Sequence, residues 1–186
     1  MTRWAPLKAD VLDALATEIL QRYSKGRVVV AIDAVEPATA EAFASELAAA
    51  IGRTSHPVFV APLSAFRLPR ESDGDYDYSL LQRVLLDPFR LSVGTGFVLA
   101  GFDAARNLPV EPRWSTGPRD AILIIAGELL QNPPLRGQWN YSIWLDDGAT
   151  DPKSPYVKKA KPSTTATAIV DVSEPEHPRR VFADSC

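Results

Sequence analysis

The stretch RVVVAID at 27–33 constrains this chain more than any other. It is a continuous β-branched run, the composition of a strand buried on both faces. Such a strand needs a layer above it and another below. The residues that follow supply one of them. The segment at about 38–52 is alanine-rich and puts Phe43, Leu47 and Ile51 at i, i+4 and i+8, a helix with a core-facing stripe that Gly52 closes. Upstream, Val11, Leu12, Leu15, Ile19 and Leu20 gather on one face of a helix over 9–23, which Ser24, Lys25 and Gly26 end.

The same alternation continues along the chain. PVFVAPL (57–63), TGFVLAGFD (95–103), DAILIIAG (120–127) and YSIWLD (141–146) read as further strands, and ATAIVDV (166–172) as a last apolar run before the turn SEPEHP and a terminal RRVF. Between them lie the polar loop RLPRESDGDYDY (67–78), a helical patch in SLLQRVLLDPF and the proline-rich LPVEPRWSTGP. Strands alternating with helices predict a three-layer α/β/α sandwich on a mainly parallel sheet. With 186 residues, 46% of them apolar, residues 1–186 are expected to form a single domain.

Charge and cysteine content narrow the function classes. Twenty basic residues face 23 acidic ones, a net charge of −3, so no global field favours nucleic acid or anionic lipid. The single cysteine, Cys186, can build neither a disulfide framework nor a zinc site. Asp10, Asp13 and Glu18 interrupt what a secretory signal would need as an apolar stretch, and no run of about eighteen apolar residues occurs. A cytoplasmic protein without a membrane span is the expectation.

The strand–turn–helix at 31–51 has the address of a glycine-rich phosphate loop, yet it contains no glycine. The order of elements resembles the P-loop NTPase fold, in particular its uridine kinase-like branch. RVVVAIDAVEPATAEAFASELA stands where the phosphate loop would be and PLSAFRLPR at the motif after the second strand. YDYSLLQRVLLDPF and PRWSTGPRDAILIIAGELLQNPPLRGQWNYSIWLD complete the resemblance, which spans nearly the whole chain. It implies a kinase-like fold. It would also imply phosphoryl transfer, if the reactive residues were kept.

They are not. The pattern GxxxxGK[ST] would fall on positions 34, 39, 40 and 41, which are Ala34, Thr39, Ala40 and Glu41. Glycines there let successive N–H groups curl onto phosphate, the lysine neutralises its charge and the hydroxyl holds Mg²⁺. Pro37 removes an N–H, Ala40 carries no charge, and Glu36 and Glu41 bring carboxylates. Two anions roughly 4–6 Å from a triphosphate would oppose it by on the order of a few kcal/mol. All of these residues suit an ordinary helix start: acids near the positive end of the dipole, and proline at the first position.

Three other features implied by the resemblance are also missing. Its acidic pair after the second strand maps to Ser64 and Ala65, with Phe66, Pro69 and Arg70 keeping the frame. Its strand-end acid maps to Ala126 before Gly127, with Glu128 one residue further, where a one-residue shift reverses the face. Its helical lid maps to DGATDPKSPYVKKAKPSTT, read as a solvated, proline-broken loop carrying Lys153, Lys158, Lys159 and Lys161. On the acceptor side, Arg67, Arg70, Tyr76 and Asp77 could line a small-molecule pocket.

The remaining candidates match no site pattern. Asp73, Asp75 and Asp77 alternate as in a calcium loop, but Tyr78 and Val84 break that pattern. His56 and His177 lack metal-spaced partners, and Ser92 and Ser115 lie in no nucleophile context. Trp114, Trp139 and Trp144 suit core packing. No metal and no cofactor is expected. The leading expectation is a non-catalytic kinase-like protein that binds a small molecule or a protein partner. A phosphotransferase rebuilt on Arg67, Arg70, Arg113 and Arg119 is the alternative, and a small-molecule sensor is a third.

Overall fold

A computed structural model of the chain describes residues 6–72, 75–91, 93–133, 135–152 and 154–182. Asp73, Ser92, Lys153 and Cys186 lie outside the described residues.

Helix α1 (Lys8–Arg22) buries Val11, Leu12, Leu15 and Ile19, the stripe read from the sequence. Gly26 then takes φ +86° and turns the chain into β1 (Val28–Asp33), all six residues of which are buried. Helix α2 (Pro37–Gly52) follows and buries Phe43, Leu47 and Ile51 together with Ala40, Ala44 and Ala50. Its small residues let the helix lie close against the sheet.

Strand β2 (Val58–Pro62) runs into a 3₁₀ turn (Leu63–Phe66). After the loop comes α3 (Tyr78–Leu81), which continues through one wide turn (Gln82–Leu86) into α4 (Asp87–Leu91). In that turn the Asp87 N–H reaches the Gln82 carbonyl. Pro88 follows directly. Proline has no N–H to give and crowds the carbonyl four residues back, and widening the turn relieves both problems.

The segment 95–103 corrects the sequence reading. It forms two short pieces, β3 (Phe97–Val98) and β4 (Phe102–Asp103), and neither joins the central sheet. Strand β4 pairs with β5 (Leu108–Pro109), and β3 pairs with β6 (Trp114–Ser115). Gly101 explains the break. A Cβ there would lie 2.8 Å from Leu80 Cδ2, and its N–H bonds the Ala65 carbonyl at 2.9 Å, so the backbone is drawn onto the 3₁₀ turn and α3.

The central sheet is completed by β7 (Ile122–Gly127), β8 (Tyr141–Asp146), β9 (Ala168–Asp171) and β10 (Arg179–Val181). Its order is β10-β9-β8-β1-β7-β2, and only β10 is antiparallel. Alternate residues face opposite layers. Val28, Val30, Ile32, Ile122, Ile124, Tyr141 and Ile143 pack with α1 and α2. Val29, Ala31, Leu123 and Ile125 pack with Phe66, Leu85 and Phe89 on the other face. These are the three layers expected.

The segment read as a solvated loop holds α5 (Pro155–Ala160) and α6 (Pro162–Thr165), hinged at Lys161 with φ +48°. Pro155 and Pro162 open helices at their first positions, where no N–H is needed, and Ser154 Oγ caps α5 by accepting from the Val157 N–H at 3.1 Å. Trp144 is buried and Trp139 partly so, but Trp114 is 66% exposed. Trp114 sits on a two-residue strand that pairs with β3, outside the central sheet.

Candidate functional site

In an open parallel sheet, ligands bind beyond the carboxyl ends of the strands, where the strand order reverses. Here that place lies around the end of β1, with β7 on one side and β8 on the other. Three groups of side chains meet there.

The first is the turn into α2. Ala34 is buried, and its N–H bonds the Gly127 carbonyl at 3.0 Å. Val35 and Glu36 are exposed, and α2 begins at once with Pro37. The Glu36 carbonyl accepts from the N–H groups of Thr39 at 3.1 Å and Ala40 at 3.4 Å, so these donors turn inward on the helix itself. Ala40 is fully buried in the core beneath α2. Glu41 Oε1 accepts from Ser64 Oγ at 3.0 Å. A hydroxyl and a carboxylate therefore face each other across these two positions, in the reverse of the arrangement the resemblance implies.

The second group lies beside β2. Tyr76 Oη donates to Glu128 Oε1 at 2.7 Å, while an Arg67 Nη reaches Tyr76 Oη at 3.3 Å and Glu128 Oε1 at 3.4 Å. The guanidinium also lies 5.3 Å above the Tyr76 ring. Burial, then the bond to Glu128, pushes the Tyr76 hydroxyl well above its ordinary pKa, so it stays a donor. That hydroxyl in turn raises the pKa of Arg67. An open cleft of about 370 Å³ beside them is lined by Arg67, Arg70, Asp75, Phe102 and Asn107, among others. Arg70 is anchored there by its backbone N–H, which donates to Asn107 Oδ1 at 3.1 Å. Arg67 and Arg70 thus share one cleft. Tyr76 lies buried against Arg67, and Asp77 caps α3, its Oδ1 accepting from the Leu80 N–H at 2.8 Å.

The third group was missed in the sequence. Asp33, the last residue of β1, is fully buried. Its Oδ1 accepts from the Leu130 N–H at 3.3 Å, and its Oδ2 accepts from the hydroxyl of Tyr156 on α5. That hydroxyl also accepts from the Gln131 N–H at 3.2 Å. Leu129, at φ +61°, immediately precedes the two residues whose N–H groups reach these oxygens. Burial pushes the Asp33 carboxyl up to about 7, against the pull of Tyr156 and the Leu130 and Gln131 N–H groups, and Glu128 adds a smaller repulsion. Burial beside Asp33 also raises the pKa of the Tyr156 hydroxyl. The available signals were an acid ending an apolar strand and a tyrosine within a lysine- and proline-rich segment.

The other candidates lie elsewhere. Arg119 precedes β7 whereas Arg67 follows β2, so a strand of about six residues, roughly 20 Å, separates them. Arg113 lines a separate cleft with Val110 and Ser115. His56 Nδ1 lies 3.0 Å from Thr54 Oγ1, and His177 Nδ1 lies 3.2 Å from the Pro6 carbonyl. Among the described residues no group of three or more His, Cys, Asp or Glu side chains could hold a metal ion, and no helix is long and apolar enough to cross a membrane.

No family model and no curated protein sequence matches the chain. Solved structures do. A protein from Bacillus stearothermophilus described as a possible uridine kinase shares 18% identity at a TM-score of 0.69, over 86% of this chain and 97% of that one. A candidate fructose transport system kinase from a Silicibacter species shares 25% identity at a TM-score of 0.58, over 73% of this chain and 74% of that one. The likeness is one of fold: a mainly parallel sheet with flanking helices, of the P-loop kinase type.

Proposed function

We propose that this chain is a uridine kinase-like pseudoenzyme, a kinase-type fold kept for binding, scaffolding or regulation and not for phosphoryl transfer. The observation that carries the reading is the start of α2. A phosphate loop needs free N–H groups and a lysine reaching into the loop. Here Pro37 opens the helix, the Thr39 and Ala40 N–H groups turn onto the Glu36 carbonyl, and the side chain at the lysine position is a buried alanine. Ala34, Glu36, Pro37, Thr39, Ala40 and Glu41 are then a vestigial loop serving only the fold. The test is a titration with Mg·ATP followed by thermal unfolding. A ligand at 100 times its Kd adds about 2.7 kcal/mol. No shift from this loop is expected, and a saturable shift that depends on residues 34–41 would overturn the reading.

A second reading, a small-molecule sensor, rests on the cleft holding Arg67, Arg70, Asp75 and Asn107 around Phe102. Its polar rim and aromatic wall suit a nucleoside- or sugar-like ligand. A thermal shift with nucleoside alone, lost in Arg70→Ala, would support it. The phosphotransferase rebuilt on scattered arginines has no such support, because Arg67 and Arg119 sit at opposite ends of the sheet.

A further inference from the structure

At the amino ends of the strands, far from the candidate site, Gly26, Arg27, Arg90, Leu91, Val93 and Arg119 line an open cleft of about 520 Å³. Parallel pairing builds it. Val28 stands opposite Ile122, so the residues entering β1 and β7 emerge at the same end, and α4 ends beside them.

Two of the three guanidinium groups are fixed by neutral partners. Arg27 donates from Nη1 to the Phe89 carbonyl at 2.6 Å, from Nε to the Pro118 carbonyl at 3.2 Å and from Nη2 to the Gly117 carbonyl. It also lies 5.1 Å from the Phe89 ring and 5.9 Å from that of Phe97. Arg90 donates to the side-chain oxygen of Gln138 at 2.8 Å and to its carbonyl. Partial burial lowers the pKa of both arginines, although Asp87 partly offsets this at Arg90. Arg119 is exposed.

Among the described residues none of the three takes part in an ion pair and no carboxylate lines the cleft. The nearby negative groups are Asp87, whose carboxylate accepts from the Gln82 amide, the exposed Asp120 and the carbonyl end of α4. Three cations thus face two nearby carboxylates, neither of which is ion-paired to an arginine of the cleft among the described residues. Leu91 and Val93, 74% and 60% exposed, add an apolar shelf beside them.

We propose that this cleft binds a small organic phosphate with an apolar substituent. Arg27 and Arg90 each keep N–H groups beyond those the carbonyls take, and these, with the exposed Arg119, can donate to phosphate oxygens, while prior fixing reduces the ordering cost of binding. The apolar shelf distinguishes such a ligand from inorganic phosphate.

Calorimetric titration with phenyl phosphate tests the proposal, with inorganic phosphate and benzyl alcohol as comparisons. Phenyl phosphate is expected to bind more tightly than either. Arg119→Gln and Arg90→Gln should each weaken it about tenfold, the equivalent of about 1.4 kcal/mol. Leu91→Ser should weaken phenyl phosphate while leaving inorganic phosphate unchanged, and Arg67→Gln should change neither. Arg119 is exposed, so its variant folds even if an Arg27 variant does not. Absence of binding at millimolar concentration, or binding insensitive to Arg119→Gln and Arg90→Gln, would overturn the assignment. A nucleotide shift that disappears in Arg119→Gln belongs to this cleft and leaves the pseudoenzyme reading standing. One that survives in that variant overturns the pseudoenzyme reading instead.

Discussion

The hydroxyl of Tyr156 hydrogen-bonds the carboxylate of Asp33 and so ties α5 to the buried end of the central strand. The two residues are 123 positions apart in the chain. Their contact covers the end of β1, close to where an α/β kinase fold would present its phosphate loop, with a side chain from the segment read in the sequence as a solvated loop.

Tyr156→Phe removes that tie. Asp33 Oδ2 loses its donor and the Gln131 N–H loses its acceptor. A cost of about 1–3 kcal/mol is expected in urea unfolding. Amide exchange across α5 and α6 should accelerate at the same time. Unchanged exchange there would mean that the segment is held by other contacts.

The Asp33 carboxyl makes stability depend on pH. Its folded pKa of about 7 lies above its ordinary value of 3.8, so the native chain holds the proton more tightly than the unfolded chain. The resulting stabilisation is complete at acidic pH below the unfolded value and is lost as pH rises through about 7. The loss is on the order of 4 kcal/mol. Asp33→Asn removes the titration while keeping one acceptor and gaining a donor toward Tyr156. Unfolding free energies from about pH 5 to about pH 8 should fall for the natural chain relative to the variant. Parallel curves would refute this.

Ala40→Lys alone should not create a phosphate site. The position is fully buried, so an unpaired ammonium there should cost at least about 2–4 kcal/mol. Combined with Ala34→Gly, Pro37→Gly, Thr39→Gly and Glu41→Thr, the helix start can unwind and free its N–H groups. Triphosphate affinity at this loop, measured by calorimetry in an Arg119→Gln background, is expected only in the combined variant. Binding by the single variant would contradict the geometry of α2.

Gly127 is required by contact and not by turn geometry. A Cβ there would lie 2.7 Å from Leu63 Cβ, so Gly127→Ala should cost about 1–3 kcal/mol in thermal unfolding. Gly52→Ala, with nothing within 4 Å of the new methyl, should be neutral or stabilising by up to about 1 kcal/mol. Equal effects at the two positions would rule out the packing explanation.

The sheet was legible wherever a strand is buried on both faces. RVVVAID and YSIWLD became β1 and β8 nearly residue for residue, because continuous apolar runs have few other places to go. TGFVLAGFD is just as apolar but carries Gly96 and Gly101, and close contacts with Trp114 and Leu80 diverted it from the sheet. The segment 151–165 misled for a different reason. Pro155 and Pro162 look like helix breakers in a linear reading, and only the position of each helix start shows that they are its first residues.

By itself the sequence determined the layered α/β architecture, the start of α2 at a proline and the replaced residues at 34, 39, 40 and 41, because local periodicity and side-chain type are written in the chain. Tertiary structure decided which distant groups meet: Asp33 with Tyr156, Ser64 with Glu41, Glu128 with Tyr76 and Arg67, and three arginines at the opposite end of the sheet. Parallel pairing sets these meetings, since it gathers all strand ends of one polarity onto the same side of the molecule, whatever their separation in sequence.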